Sequence, residues 1–524
     1  MSSRGKPDSV ATWSLRPAWL LLAVVGALAA AALSGCFLTG NGERPAPSPA
    51  EQGPARVCGN QALLRGPATP PRGAVRVPAG DNGDLALSRP GRTYWFAPGT
   101  HTLGDGEFSQ IVPGDGSRYV GAPGAVLDGR KVNRYAFSGH ARGVVIEHLT
   151  IENFGERGSN NNEGVVNHNS GAGWTIRYTT IQGNAGAGLM LGSGNVVEHS
   201  CLTRNEQYGF NAYSSQGPVD VTLDRNEISF NNTYDWESKI EGCGCTGGGK
   251  FWSVTGATVT GNYVHDNHGV GLWADNNNRG FLIADNDIAD NDNAGIVYET
   301  SYNAEIRDNT LVRNGLVAGP GNPGFPTGAI YVSESGADPR VDTRFDTALE
   351  ITGNVLEDNW SGVVLWENAD RYCGSPANTS TGECTLVDPG QVTARTCNRG
   401  NIDEKPFYGD CRWKTQNVKV HDNVFRLDRT ALGAKCTADN GCGVNGVFSN
   451  WGTYPSWSPY QGRAVEKAIT YHQGNRFFDN RYHGNWRFMP VEQGKLVGFR
   501  TWRTEFGQDA GSTITGTASG ATGG

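Results

Sequence analysis

A repeat built around asparagine constrains the fold of this 524-residue chain more than any other feature. A full copy has an apolar residue, Asn three positions later, an apolar residue two positions on, and a second Asn three further. The first Asn residues of the clear copies are 24, 23 and 45 residues apart, so the period is near 23 and loops account for the long interval. The clear copies are Val259 to Asn267, Ile283 to Asn291, Ile306 to Asn314 and Ile351 to Asn359, and looser ones are Ile176 to Asn184, Val197 to Asn205 and Leu223 to Asn231.

A unit of this length cannot bury its own apolar residues, so the units must stack on one another. Side chains alternate along a short strand, which turns Ile, Val and Leu inward. The Asn residues fall at turns, where amide groups of neighbouring coils can bond one another. The pattern therefore predicts an all-β fold, a single right-handed parallel β-helix solenoid over about 90–490 with long loop insertions. A leucine-rich solenoid has a similar period, but the chain lacks its Leu spacing.

The repeat resembles that of the right-handed parallel β-helix, pectin-lyase-like superfamily. Two earlier segments, Thr93 to Gly99 and Gly121 to Gly129, resemble the first coils of such proteins. The resemblance implies the fold over most of the chain. It leaves the activity open, because the superfamily includes lyases, hydrolases, epimerases and phage adhesins.

Composition excludes several classes of function. Glycine contributes 74 residues and only 18% of residues are charged, which suits a turn-rich β protein. Hydrophobic residues make up 37%, too few for a polytopic membrane protein. Removing the leader described below, which holds three basic residues and one acidic residue, takes the net charge from −8 to −10. No basic tract remains for binding nucleic acid by counterion release.

The first 35 residues are predicted to be an export signal. The apolar run Leu20 to Leu33 is too short for a comfortable bilayer span and is typical of a signal peptide. It ends in Leu33-Ser34-Gly35-Cys36, which resembles the bacterial lipobox and implies a lipid anchor on Cys36 at the outer face of a cell membrane. An ordinary cleaved signal and a secreted protein are the alternative. The Pro- and Ala-rich stretch Pro45 to Pro54 fits a spacer.

Cysteine content agrees with export. Ten cysteines remain besides Cys36, and an even number in an exported chain favours disulfides, up to five, whose pairing the sequence leaves open. A zinc site is the competing reading, but the chain has no Cys-x-x-Cys pair and no matching His pair. The ten are Cys58, Cys201, Cys243, Cys245, Cys373, Cys384, Cys397, Cys411, Cys436 and Cys442.

These features predict seven segments along the chain. They are a lipoprotein-type signal peptide (1–35), a lipid-anchored spacer (36–57), an N-terminal cap with the first coils (58–142), core coils (143–370), a Cys-rich loop insertion (371–416), C-terminal coils and cap (417–510) and a flexible tail (511–524).

The strands that follow the second Asn of each copy supply the candidate site. If Leu272 and Ile296 point inward, alternation turns Trp273, Asp275 and Glu299 outward. Asp275 and Glu299 then occupy equivalent positions in coils about 4.8 Å apart. Aligning Phe251 with Leu272 places Lys250 and Trp252 outward one coil earlier. Glu367 falls one residue beyond the equivalent position and would join the row through a bulge.

Two carboxylates at such a separation suit glycoside hydrolysis, in which one protonates the leaving oxygen and the other is nucleophile or base. Like charges in adjacent coils should raise one pKa. Trp252 and Trp273 offer flat faces for sugar rings, and His268 is near enough to the Trp273 strand to contact substrate. These residues predict polysaccharide cleavage with no required cofactor. The competing reading has the acids solvated or bonded to loops, and the Trp residues packed beneath them.

Lys250 allows a second chemistry. Lyases and epimerases of the superfamily use a basic residue to abstract the proton beside a uronate carboxylate, usually with Ca²⁺ or a basic group neutralising that carboxylate. Asp235, Glu237 and Glu241 lie near Lys250 in sequence and could complete such a site. However, a Lys beside carboxylates is more often an ion pair.

A non-catalytic glycan-binding scaffold is a third class, because solenoids offer long binding surfaces without chemistry. Clustered acids and exposed Trp residues on one face favour an enzyme over a scaffold. We expect the protein to act as a monomer on a polysaccharide, in a groove lined by the loops 232–248, 315–327 and 370–416.

Overall fold

The computed structural model describes most of the chain from residue 54 onward. The described residues are 54, 56–156, 164–239, 246–342, 348–368, 370–376, 384–437, 440–450, 452, 454–462 and 464–516. Cys36, the leader, Glu241, Cys243 and Cys245 lie outside them.

Three parallel sheets form a β-helix solenoid, which confirms the predicted fold. Within the described residues, sheet A has 13 strands, sheet B has 14 and sheet C has 10. The coils before Val145 contribute strands to A and B, and the coils from Val145 to Glu492 contribute in turn to A, B and C. Sheet A comprises Val75–Val77, Thr93–Phe96, Arg118–Gly121, Val145–Glu147, Thr175–Arg177, Val196–Glu198, Val219–Asp224, Thr255–Thr260, Arg279–Ala284, Tyr302–Arg307, Leu349–Thr352, Val418–His421 and Arg476–Phe478.

The other two sheets complete each coil. Sheet B comprises Gly80–Asp81, Gly99–Thr102, Ala125–Asp128, Thr150–Glu152, Thr180–Gln182, Cys201–Thr203, Glu227–Ser229, Tyr263–His265, Asp287–Ala289, Thr310–Val312, Val355–Glu357, Val424–Arg426, Arg481–His483 and Thr513–Thr515. Sheet C comprises Gly164–Val166, Ala187–Leu191, Tyr208–Ala212, Gly247–Trp252, Val270–Asp275, Ile296–Glu299, Gly328–Ser333, Ser361–Asn368, Val444–Asn450 and Arg487–Glu492.

Helices in the described part of the chain are short and lie at its ends or in loops. They are Gln61–Leu64, Trp236–Lys239, Phe407–Asp410, Arg429–Leu432, Ala464–Lys467 and Phe499–Thr504, with a 3₁₀ turn at Gly319–Gly321 and a π turn at Ala468–His472. No helix among the described residues is long and apolar enough to cross a membrane.

Stacked Asn amides join the coils at two corners, as the repeat predicts. At each corner, every Asn side chain but the last donates from Nδ2 to Oδ1 of the equivalent Asn one coil further on, at 2.8–3.1 Å. Because these side chains are buried, the bonds satisfy polar groups that would otherwise destabilise the turns. The ladder between sheets B and C is Asn184, Asn205, Asn231, Asn267, Asn291, Asn314 and Asn359, and that between sheets A and B is Asn226, Asn262, Asn286, Asn309, Asn354, Asn423 and Asn480.

Disulfides hold the segments outside the regular coils. Among the described residues they pair Cys58 with Cys201, Cys373 with Cys384, Cys397 with Cys411, and Cys436 with Cys442. The first ties the N-terminal segment to sheet B, and the second and third lie in the predicted insertion. Disulfides of this number are typical of an exported chain.

The C-terminal end differs from the flexible tail expected from residue 511. Thr513–Thr515 pairs with Arg481–His483 and adds the last strand of sheet B. Ser512 anchors this strand, because its hydroxyl donates to Asp509 at 2.7 Å and accepts from the backbone of Asn480 at 2.8 Å. Residues 517–524 lie outside the described part of the chain.

Candidate active site

Two rows of outward side chains run across the coils on sheet C. Strand pairing places Lys250, Trp273, Val297 and Tyr331 in one row. It places Trp252, Asp275, Glu299 and Ser333 in the next row. Asp275 therefore lies directly opposite Glu299 in the neighbouring coil.

The alignment of Phe251 with Leu272 was wrong by two residues. Phe251 pairs with Ala274, and Gly249 pairs with Leu272. Gly249 takes the inward position because the Phe210 ring of the preceding coil fills the space, and a Cβ at Gly249 would lie 2.0 Å from it. The shift keeps Lys250 and Trp252 outward, but it sets Lys250 beside Trp273 and Trp252 beside Asp275.

Lys250 forms an ion pair with Asp275. Its Nζ lies 2.9 Å from Asp275 Oδ2, 4.7 Å from the centroid of the Trp273 ring and 5.3 Å from that of Trp252. Both Trp side chains are partly exposed. Lys250 therefore sits at the centre of the group, against one carboxylate and two ring faces.

Two of the three acids expected near Lys250, Asp235 and Glu237, form hydrogen bonds within their own loop, and Glu241 lies outside the described residues. Asp235 accepts a hydrogen bond from Ser238, and Glu237 accepts from Asn232 and Thr246. These bonds organise the loop that carries both acids. The described contacts of Lys250 include Asp275 and the two Trp rings.

Glu299 shares a guanidinium with a third acid. Arg371 Nη1 lies 2.6 Å from Glu299 Oε1 and 3.0 Å from Glu334 Oε2. Glu334 is fully buried and also accepts from the Ser333 hydroxyl and the backbone amide of Asn368. The site thus combines three carboxylates, Asp275, Glu299 and Glu334, with two cations.

Burial raises the pKa of Glu299 above its usual value. The neighbouring charges of Asp275 and Glu334 add to this effect, while Arg371 opposes it. The balance favours a proton on Glu299 at a higher pH than an exposed Glu would hold one. A carboxylic acid in this state, beside another carboxylate, is suited to general acid catalysis.

Sequence reasoning missed Glu334 and Arg371. Glu334 follows Ser333, the row neighbour of Glu299, so extending the row one coil past the loop 315–327 would have found it. Arg371 lies in the irregular insertion, where no periodic pattern indicates which side chain turns back toward sheet C.

Glu367 does not join the acidic row. Trp366 pairs with Ser333 and takes the row position, whereas Glu367 pairs with Ser449. Glu367 is buried, forms an ion pair with Arg412 and accepts from Gln473 Nε2 at 2.8 Å. It therefore binds the insertion to the coil instead of facing a substrate.

His268 lies at the corner between sheets B and C. Its side chain is exposed, and its Nδ1 is 3.1 Å from Asp292 Oδ2. This contact belongs to the turn before the Val270–Asp275 strand. His268 is thus accessible, but the described contacts do not link it to the carboxylates.

Two of the three loops expected to line a groove, 370–416 and 315–327, contact sheet C, and part of the third, 232–248, lies outside the described residues. The insertion delivers Arg371 to Glu299, and Tyr372 beside it packs with Cys373 and Tyr460 in a separate apolar cluster. On the later coils, Phe325 of the loop 315–327 contacts Trp366, with ring centroids 5.3 Å apart. The acids therefore lie between Trp252 on the preceding coil and the Phe325–Trp366 pair on the later coils.

Comparisons with known proteins support the fold. A family model described as the right-handed β-helix region matches residues 163–346. No curated protein matches the chain significantly. Solved structures similar to it include the A-module of a mannuronan C-5 epimerase from Azotobacter vinelandii, at 15% identity and a TM-score of 0.39, covering 68% of this chain and 87% of that one.

Another is the catalytic unit of a GH87 α-1,3-glucanase from Streptomyces thermodiastaticus, at 14% identity and a TM-score of 0.46, covering 87% of this chain and 72% of that one. These structural neighbours are carbohydrate-active β-helix enzymes. At identities and TM-scores this low, the activity of these neighbours says nothing about the reaction of this protein.

Proposed function

We propose that the protein is an exported enzyme that cleaves a polysaccharide by hydrolysis on the outer face of sheet C. The observation that carries the proposal is the pairing of Asp275 with Glu299 across adjacent coils, with the pKa of Glu299 raised by burial and by the two neighbouring acids. Such a pair, with one group protonated and one ionised, is what glycoside hydrolysis requires.

Glu299 is the general acid in this mechanism. It gives its proton to the glycosidic oxygen as the bond from that oxygen to the anomeric carbon breaks. As that bond breaks, Asp275 either attacks the anomeric carbon or takes a proton from the water that attacks it. In the first case water, deprotonated by Glu299, then breaks the glycosyl–Asp275 bond, and the configuration of the product distinguishes the two routes. The step uses no metal or cofactor.

Lys250 and the Trp residues hold the substrate and the base. Trp252 and Trp273 present ring faces on which sugar rings stack. Lys250 balances the negative charge of Asp275 at 2.9 Å and can donate to a substrate hydroxyl or carboxylate. Arg371 and Glu334 do not need to touch substrate, because they act by setting the charge around Glu299.

A lyase or epimerase with Lys250 as base is the second candidate. It would act on a uronate, with Ca²⁺ or a cation neutralising the substrate carboxylate. Lys250 is held in an ion pair with Asp275 and lies over two Trp rings, whereas a base has to face the proton that it abstracts. The geometry therefore favours hydrolysis.

We further propose that the mature chain is anchored to the outer face of a cell membrane through Cys36 and acts as a monomer. Cys36→Ala should release the protein from the membrane fraction. If the mature N-terminus of the wild-type protein carries no lipid, the anchor is wrong and the protein is secreted.

A panel of plant, algal and bacterial-wall glycans tests the activity. New reducing ends without absorbance at the unsaturated-uronate band would support hydrolysis. That absorbance would assign a lyase, and epimerised uronates without cleavage would assign an epimerase. Binding without any product would assign a scaffold.

A further inference from the structure

A cavity lies between sheet A and the Cys-rich insertion, on a different face of the coils from the acids. Its volume is about 580 Å³, within the usual range of small-molecule sites. Thr255 and Arg279 line it from sheet A, and Leu386 and Val392 line it from the insertion. The insertion therefore lies beside sheet A, and a cavity remains between the two.

Arg279 brings a positive charge to this cavity. Its Nε donates to the Thr255 hydroxyl at 3.3 Å, and no carboxylate within salt-bridge distance of it occurs among the described residues. Arg307, further along the same sheet, is paired with Asp308 at 2.7 Å. The nearby carboxylate of Asp388 is directed to Arg340, 3.8 Å away.

Asn277 supplies an unsatisfied acceptor. It lines the same cavity, its side chain is 7% exposed, and its Oδ1 has no hydrogen-bond partner in the described part of the chain. A buried acceptor without a donor is destabilising, and a hydroxyl of a ligand would satisfy it.

The cavity also adjoins the proposed active site through the backbone. Asn277 follows Asp275 by two residues, at the turn from sheet C to sheet A. Its backbone amide donates to Thr300 of the next coil, just as that of Asn276 donates to Glu299. A ligand in the cavity therefore lies on the neighbouring face of the coil that carries Asp275.

We propose that this cavity binds an anionic sugar unit, with Arg279 holding its carboxylate or sulfate and Asn277 accepting from a hydroxyl. A guanidinium favours planar anions, because its fork matches two acceptor oxygens. A free anion would satisfy Arg279 alone, whereas a sugar acid satisfies both groups. The site stands independently of hydrolysis, and if hydrolysis holds, it identifies the polysaccharide as acidic.

Binding of defined probes to the full mature chain tests the site. Calorimetry and ligand-observed NMR would compare D-glucuronate, D-galacturonate, D-mannuronate and glucose 6-sulfate with the neutral hexoses and with inorganic sulfate. We expect at least one anionic sugar to bind more tightly than its neutral counterpart. Arg279→Gln should weaken that binding about tenfold or more, the loss of one charged hydrogen bond.

Matched variants separate the contributions. Arg307→Gln, on the same sheet, should leave binding unchanged. Asn277→Ala should weaken the anionic sugar but not inorganic sulfate. Unfolding temperatures of each variant would show that the protein still folds. Asp275→Asn should retain binding, which separates this site from the proposed chemistry.

Three results would overturn the proposal. One is the absence of binding by every anionic sugar. Another is unchanged binding after Arg279→Gln in a folded protein. The third is inorganic sulfate binding as tightly as the sugars, which would leave a general anion site.

Discussion

Arg371 Nη1 lies 2.6 Å from Glu299 Oε1, so the irregular insertion delivers a cation to the acid of a regular coil. The same guanidinium reaches Glu334, 3.0 Å away. Burial and the charges of Asp275 and Glu334 raise the pKa of Glu299, whereas Arg371 lowers it. Arg371 and Glu334 therefore shift this pKa in opposite directions. The acid is therefore tuned from both sides.

Opposite shifts in the pH profile should follow from changing these two partners. Arg371→Gln removes a charge that lowers the pKa of Glu299, so the alkaline limb of kcat/KM should move to higher pH. Glu334→Gln removes a charge that raises it, so the limb should move to lower pH. Profiles of kcat/KM measure both, because they report the protonation of the free enzyme.

A structural effect alone would lower the rate without moving the limb. If both variants moved it in the same direction, the account of how Glu299 is tuned would be wrong. Glu305→Gln, a partly exposed acid on sheet A, is the matched control and should leave the profile unchanged.

Much of this arrangement could be predicted from the repeat. The Asn ladders and the outward direction of Asp275 and Glu299 follow from alternation and from a period near 23. The register of the strand that contains Phe251 could not be predicted from the repeat. It depends on the Phe210 ring, which leaves no room for a side chain at Gly249.

Partners from irregular segments were also beyond the pattern. Arg371 and Arg412 both come from the insertion, and each forms an ion pair with an acid of sheet C. Arg371 pairs with Glu299, which still lies beside Asp275 on the outer face of sheet C. Arg412 pairs with Glu367, which is buried. The final strand at Thr513–Thr515 depends on the contacts of Ser512 with Asp509 and Asn480, which a Gly- and Ser-rich composition does not indicate.

Glu227 should stabilise the N-terminal segment in a pH-dependent way. Burial raises the pKa of Glu227, but bonds from His265 and from the backbone amides of Cys58 and Val57 outweigh it, so the pKa is lowered from 4.5. A lowered pKa adds stability above the unfolded value, and this is lost as pH falls through the folded value.

Glu227→Gln should therefore reduce the free energy of unfolding by about 1–3 kcal/mol at neutral pH. The gap should shrink as pH falls below about 4.5. Urea unfolding at a series of pH values measures this difference, with Glu357→Gln, a partly exposed acid on the same sheet, as the control. A difference in unfolding free energy between wild type and Glu227→Gln that stays constant with pH would contradict the role of the Glu227 charge.

The Asn ladders should be more sensitive than other Asn positions. Asn286 Nδ2 donates to Asn309 Oδ1 at 2.9 Å and to Val259 O at 2.8 Å, and its Oδ1 accepts from Asn262. Asn286→Ala leaves buried groups of both neighbouring coils without partners, so it should cost at least about 2 kcal/mol.

Asn293→Ala is the matched control in the same coil. Asn293 is only partly buried and its side chain accepts from the adjacent amide of Ala294. Thermal or urea unfolding of the two variants would compare them directly. Equal losses would show that the ladder contributes nothing beyond a local turn.

The rate of glycosidic bond cleavage by Asp275→Asn and Glu299→Gln tests the central claim most directly. It is measured on the glycan that the wild-type protein cleaves, beside Glu305→Gln. Amides conserve volume but remove proton transfer, so each active-site variant should be about 10²- to 10⁴-fold slower while still binding the glycan, and the control should match the wild type. Wild-type rates in both amide variants would contradict the assignment of Asp275 and Glu299 as the catalytic pair.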